Sequence, residues 1–298
     1  MTPGIHLFHK PVGPTSFSLV QECIRTIHAA HPQHPPSVCH GGTLDPFASG
    51  LLLILVEPAT QLFDYLHAVP KVYEATVRWG VETENGDPLG NITSTGDTSV
   101  LTPARLDEVL GTFVGWREQT PHVTSARRVG GERAYVRARR GEQVQMPAAQ
   151  VYLHEASWLA HDLPNQSRLR ITVRGGYYVR ALARDIGRTL RCGAHLGELH
   201  RVSIGPWSDP GPGKSGELHG SQILPWAIRR ILTDQEVGEL RQGRYIPRGK
   251  LLPSDWDLPA GFPNPQAPIR GFHKDLLRFL LDTEGDKLRA RVTLRGGL

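Results

Sequence analysis

The stretch HGGTLDPFASGLLLILVEPATQ, residues 40–61, sets the frame for reading the chain. Its second half contains Leu51 to Val56, the longest purely aliphatic run in the sequence. A short continuous apolar run following a glycine-rich turn reads as a strand buried on both faces. The first half holds that turn and ends at Asp45. Pro46 biases Asp45 towards an extended conformation. A carboxylate so placed stands at the rim of a core, partly removed from water. An isolated Asp-Pro is most often a plain turn, so Asp45 takes its meaning from its surroundings.

Upstream, Ile5 to Phe8 reads as a strand that leads into the proline-rich turn KPVGPTS. Thr15 or Ser16 can N-cap a helix running to about Ala30, with Val20, Ile24 and Ile27 on one face. Downstream, Pro58 and Ala59 open a short helix through Leu66. Tyr73, Ala75, Val77 and Trp79 alternate with Glu74, Thr76 and Arg78, the pattern of a half-buried strand. A helix is expected over 103–113, strands near 150–159 and 168–173, a helix over 179–190 and a strand over 196–204. The segment 208–220 has the composition of a linker. A helix is expected near 221–231, and Thr233 signals an N-cap for another over 234–242. RFLLDT and KLRARVTL, near the end, alternate as strands do. The pattern predicts an α+β fold, a mixed and largely antiparallel sheet flanked by helices, with a small β-rich domain behind it.

At 298 residues, with 39% hydrophobic and 21% charged, the chain is long enough for one large domain and a small one. The net charge of +5 is unevenly spread. Between His122 and Gly141, six arginines face one acid, Glu132, a local excess as large as that of the whole chain. From Arg168 to Arg201, eight arginines face Asp185 and Glu198. Arginine forks match phosphate oxygens and their planes stack on bases, so the concentration suits a nucleic acid. Cys23, Cys39 and Cys192 form no CxxC pair and read as reduced cytosolic thiols. No apolar leader opens the chain and no apolar run is long enough to cross a bilayer, so a cytoplasmic, membrane-free protein is expected. His28, His31 and His34 have metal-like spacing, but Pro32, Pro35 and Pro36 break any helix that would align them. Cys39 and His40 supply at most two of four ligands, and Gly41-Gly42 lacks the Lys-Ser/Thr of a phosphate loop. No metal is expected.

HGGTLDP followed by ASGLL resembles the catalytic motif of the tRNA pseudouridine-55 synthase family. Three further blocks match in the family's order: HKPVGPTS (9–16), KVYEATVRWGVETENGDPLG (71–90) and RGGYYVRALARDIGRTLRCGAHLGELHR (174–201). SARRVGGERAYVRARRGE (125–142) resembles the family's RNA-gripping insertion, here about 121–147. The tail, RILTDQEVGELRQGRYIP and then IRGFHKDLLRFLL, resembles a PUA RNA-binding domain. The resemblance implies a catalytic domain over 1–230 and a PUA-like domain over 231–298. It implies an isomerase that turns uridine 55 of the tRNA T-loop into pseudouridine by flipping the base out. Breaking N1–C1′ and joining C5 to C1′ changes no oxidation state, so no cofactor is expected. The expected partner is the T-arm of tRNA, bound by a monomer with no obligatory protein partner.

By the same resemblance Asp45 is the nucleophile or charge stabiliser, at C6, at C1′ or by removing the C2′ proton, and the sequence does not choose among these routes. A carboxylate kept ionised in a dry site needs a cation, and Arg180 matches the arginine that pairs with it. Tyr73 matches the aromatic that stacks on the target uracil, and His40 the residue at the gap left by the flipped base. Asp87 and Leu199 match positions that shape the pocket, and Lys10 with Pro11 shapes the catalytic loop. Tyr178, Arg139 and Arg140 complete the set expected to bind substrate. Two departures stand out: His200-Arg201 where the family often has two arginines, and PHVTSA, with Thr124 at a position that commonly carries an aromatic. Three other readings remain at this point: a guide-RNA-dependent synthase, an RNA-folding factor whose chemistry is dispensable, and a basic binding module without activity.

Overall fold

A computed structural model describes residues 1–30, 32–125, 127–265 and 267–298; the side chains of residues 30, 128, 133, 135, 138 and 139 lie outside the description. Its centre is a ten-stranded sheet. Eight strands follow one another across it: Ser215–Leu218, Gly4–Lys10, Ala48–Val56, Ala194–Ile204, Lys71–Trp79, Gln166–Val173, Ala149–Asp162 and Gly115–Gln119. Every neighbouring pair is antiparallel except Ala48–Val56 with Ala194–Ile204, which run parallel. Val38–His40 and Trp207–Ser208 pair alongside this path.

The aliphatic run explains itself in this setting. Leu51, Leu53 and Leu55 point to one face and pack with Ile5, Trp207 and Trp226. Leu52 and Ile54 point to the other, against Val20 of the helix Ser16–Ala30. A strand covered on both faces has no place for alternating polar residues. The three leucines of the first face contribute about 5–9 kcal/mol of gross burial. Beyond Ala48 the sheet carries the helices Pro103–Gly111 and Val179–Thr189, whose Leu106, Leu110, Leu182 and Ile186 bury against Tyr73, Val77 and Ile171. Thr102 caps the first of these through the Arg105 N–H, with Pro103 at its first position.

The C-terminal part forms a separate five-stranded sheet, ordered Arg229–Ile231, Ile269–His273, Leu276–Glu284, Lys287–Thr293 and Ile246–Pro247. Thr233 and Glu236 close a capping box on its helix Asp234–Arg241. Phe272, Leu277 and Leu280 join the core of Leu51, Leu53 and Leu55, so the two sheets share one apolar junction.

Two expectations are corrected. The segment 208–220 is not a linker throughout: Ser215–Leu218 pairs with the Gly4–Lys10 edge, Ile5 opposite Leu218 and Phe8 opposite Ser215. Four residues suffice for an edge strand when one of them, Leu218, enters the core, and tertiary pairing overrides the composition. Residues 221–231 form no α-helix. A 3₁₀ turn over Gly220–Gln222 gives way to irregular chain and then to the strand Arg229–Ile231, parallel to Ile269–His273. Pro225 interrupts a helical ladder at mid-segment, and the second sheet takes up the end of the stretch.

Candidate active site

Asp45 lies in the loop between Val38–His40 and Ala48–Val56, and four residues fix that loop from outside. Ser16 donates its hydroxyl proton to the Leu44 carbonyl at 3.0 Å and accepts the Leu44 N–H at 2.8 Å. Gly13 N–H donates to the Pro46 carbonyl at 2.8 Å. The Lys10 ammonium, wholly buried, donates to the carbonyls of Pro11 (2.9 Å), Pro46 (3.4 Å) and Ala48 (2.6 Å). Arg201, equally buried, donates to Gly42 (3.0 Å), Thr43 (3.3 Å) and Leu51 (2.7 Å). Within the loop, the Ala48 N–H returns to the Asp45 carbonyl at 3.1 Å. The backbone on both sides of Asp45 is therefore pinned, and its side chain projects from a rigid support.

That side chain meets Arg180 on the first turn of Val179–Thr189. Arg180 Nε lies 2.9 Å from Asp45 Oδ2 and Nη2 lies 3.1 Å from Oδ1, a two-point fork. The far nitrogen, Nη1, donates to the Asn85 carbonyl (2.8 Å) and to Thr124 Oγ1 (2.9 Å), with Asp87 Oδ2 at 3.4 Å. Asp87 is itself held, its Oδ1 accepting the Leu89 N–H at 2.9 Å. Arg180 is 6% exposed, whereas the Asp45 side chain keeps 30% of its surface open. Desolvation pushes the Asp45 carboxyl above its ordinary range, Arg180 pulls it back, Asp87 pushes it up again and Lys10 lowers it. Burial likewise lowers Lys10, to about 8, against the pull of Asp45.

Leu44, Phe47, Tyr73 and Leu199 belong to one apolar cluster beside this carboxylate. Leu199 lies opposite Ala48 on one side and Ala75 on the other, and Tyr73 opposite Arg201. The sheet register alone thus assembles the apolar wall. Tyr178 begins the Arg180 helix, its N–H donating to Gln119 Oε1 at 2.9 Å, and burial raises its hydroxyl. His40 is half-buried at the start of the loop, where its Nδ1 accepts the Gly42 N–H at 3.3 Å.

Residues 30–179 match the model of the TruB family pseudouridylate synthase N-terminal domain, and 180–220 that of the tRNA pseudouridylate synthase B C-terminal domain. The chain belongs to the TruB family of pseudouridylate synthases. It is 35% identical over 236 residues to tRNA pseudouridine synthase B of Bordetella pertussis, covering 78% of this chain and 93% of that protein. It is 35% identical over 258 residues to the Mycobacterium bovis protein of the same name, covering 82% and 84%. A solved Cbf5–Nop10–Gar1 complex contains a chain of similar fold, at a TM-score of 0.66 and 20% identity over 98% of this chain and 85% of that one.

Of the residues the TruB resemblance singled out, Asp45, Arg180 and Asp87 form one connected ion-pair group, with Lys10 in its field and Tyr73 and Leu199 on the adjoining wall. Arg140 lies elsewhere, exposed and paired with Glu132 and, at 2.8 Å, with Glu142. The Arg139 side chain and His31 lie outside the described residues. Sequence reasoning missed Ser16 and Arg201 as loop supports and Thr124 as a partner of Arg180. Thr15, not Ser16, takes the capping position, accepting the Ser18 N–H at 3.0 Å. Among the described residues no group of three His, Cys, Asp or Glu could hold a metal ion, and no helix is long and apolar enough to cross a membrane. Cys23, Cys39 and Cys192 are free thiols.

Proposed function

We propose that this TruB-family isomerase converts uridine 55 in the T-loop of tRNA to pseudouridine, with Asp45 as its catalytic carboxylate. The observation that carries the reading is the Asp45–Arg180 fork, set beside the apolar wall of Tyr73 and Leu199. The names of the relatives, tRNA pseudouridine synthase B, support the substrate class.

The chemistry balances within the substrate. The N1–C1′ bond breaks, the uracil turns, C5 joins C1′, C5 gives up its proton to solvent and N1 gains one. The target base leaves its stack at a cost of a few kcal/mol, and the Tyr73 ring is the face on which it rests. Asp45 acts while ionised, and Arg180 keeps it so in a partly dry site. The two-point fork also fixes the plane of the carboxylate. His40 borders the space the flipped base vacates, while Asp87, Leu199, Tyr178 and Lys10 hold the pocket's shape. The Arg-rich stretch about 121–147, with Arg139 and Arg140, supplies phosphate contacts. We assign catalysis to residues 1–230 and a PUA-like RNA-binding role to 231–298; the strand Arg229–Ile231 already belongs to the second sheet. The protein works as a cytoplasmic monomer without a guide RNA.

The test is tritium release from a T-arm transcript labelled at C5 of uridine, with native protein and Asp45→Asn. Release by the native protein alone, mapped to the T-loop uridine, is the expected result. No release from either, with RNA still bound, would replace the reading by that of an RNA-folding factor.

A further inference from the structure

Arg180 stands between two carboxylates. Asp87 is the more buried, its side chain 9% exposed against 30% for Asp45. At equal distance the attraction is stronger where water is excluded, so a free guanidinium would turn towards Asp87. The structure has the opposite arrangement, with two short bonds to Asp45 and one of 3.4 Å to Asp87.

The outer edge of the guanidinium explains the preference. Nη1 is directed to the Asn85 carbonyl and Thr124 Oγ1, at 2.8 and 2.9 Å. Both acceptors depend on one short loop, 121–125. Thr124 belongs to it, and His122 of the same loop backs the turn that carries Asn85 and Asp87. A Cβ built on Gly86 would lie 2.5 Å from the His122 ring, and Gly86 has φ +69°, so imidazole and turn are in direct contact. The loop is closed by the Ser125 N–H on the His122 carbonyl at 3.1 Å. Burial, with Arg184, Arg180 and Arg188 close by, lowers the His122 pKa to about 3, so the wedge stays neutral beside three cations.

We propose that Thr124, backed by His122, is a positioning residue that holds the Arg180 guanidinium on Asp45 and limits it to one long bond to Asp87. The inference rests on the reading of Asp45 as the catalytic carboxylate. It gives a role to the side chain by which this chain departs from the commoner TruB pattern. Thr124 does not touch substrate; it acts through Arg180 on the ionisation and orientation of Asp45. The charged groups that face Asp45 are Arg180 from its helix, Asp87 from the 84–87 turn and Lys10 from the first strand.

The test uses the full chain and a tRNA transcript, with kcat and KM followed across pH. Thr124→Val removes the acceptor at nearly constant volume. It is expected to lower kcat about tenfold, the scale of one hydrogen bond to a charged group. KM should stay nearly constant, and the acid limb of the rate profile should move to higher pH because Asp45 loses part of its cation. Thr124→Ser, which keeps the hydroxyl, should restore both values. In an Asp87→Asn background the competing charge is gone, so Thr124→Val should lose its effect. Thr124→Ala, also without an acceptor, serves if the valine variant does not fold. Unchanged kcat in Thr124→Val overturns the proposal. So does a loss that serine fails to restore, or one that persists undiminished beside Asp87→Asn, since either marks a packing role. Asp45→Asn runs in parallel: turnover retained there would refute the reading of the site itself, whatever Thr124 does.

Discussion

Ser16→Ala tests whether the loop's outside supports set the position of the carboxylate. Ser16 is 1% exposed and Leu44 3%, so water does not reach the bonds between them. One hydroxyl serves both backbone groups of Leu44, at 3.0 and 2.8 Å. Removing it strands a buried N–H and a buried carbonyl together. Two neutral hydrogen bonds at about 0.5–1.5 kcal/mol each give a loss of about 1–3 kcal/mol. For a chain of this size that is a fall of about 2–6 °C in melting temperature. The kinetic effect should be larger than the thermal one suggests. Asp45 is the next residue, and misplacement by about 1 Å costs up to about 100-fold in rate. Turnover in the tritium-release assay should drop about 10- to 100-fold, with tRNA affinity by filter binding nearly unchanged. Ser16→Cys, which keeps a weak donor, should fall between the two. A variant that melts lower yet turns over at the native rate would refute the reasoning, because the loop would then hold its register without Ser16.

Two other outcomes follow from the same site. Turnover should rise with pH through an Asp45 pKa that desolvation holds above the ordinary carboxylate range, and fall again above about pH 8 as Lys10 loses the proton it shares among three carbonyls. Because the folded state lowers the Lys10 pKa, the unfolded chain binds that proton more tightly, so stability from this group rises between about 8 and the ordinary lysine value near 10.4; a rate that stays flat from pH 7 to 9.5 would remove the Lys10 charge from the loop's support. Gly50→Ala should cost about 3–5 kcal/mol or abolish folding, since its Cβ would sit 2.3 Å from the Arg201 carbonyl oxygen at φ +108°, and urea denaturation of any soluble product reads the loss.

The order of strands and helices was legible wherever one period ran long enough. Tyr73 to Trp79 announced a strand because the sheet buries alternate residues, and Leu51 to Val56 because it buries all of them. Asp45, Arg180 and Tyr73 were legible from short motifs, and the structure brings them to one place. The supports were not. Ser16 carried the local signal of a helix cap, and nothing near it in sequence says that its hydroxyl turns to a loop 28 residues away. Arg201 reads as one more cation in an Arg-rich stretch. Its burial follows from a register that sets it opposite both Gly50 and Tyr73, a long-range fact of pairing. Arg140 shows another limit of the charge count. Its marking as a phosphate contact carried no sign that Glu132 and Glu142 of its own loop pair with it, exposed pairs that a phosphate would have to displace.

The supports also explain why the loop is held by cations. Lys10 and Arg201 reach backbone carbonyls on both sides of Asp45, at 42, 43, 46, 48 and 51. Carboxylates could have tied the same loop through its N–H groups. Each would have added negative charge near a carboxyl that desolvation already raises, as Asp87 does at the far edge of Arg180. A lysine in that place ties the backbone and lowers the Asp45 pKa with one side chain. The cost falls on Lys10, whose own pKa drops to about 8 under burial and the nearby charge of Arg201. On the role proposed for Asp45 that cost is tolerable, because Lys10 need only stay protonated near neutral pH, where the carboxylate acts while ionised. The working window under that proposal is bounded by a carboxyl pushed up and an ammonium pushed down, both by desolvation.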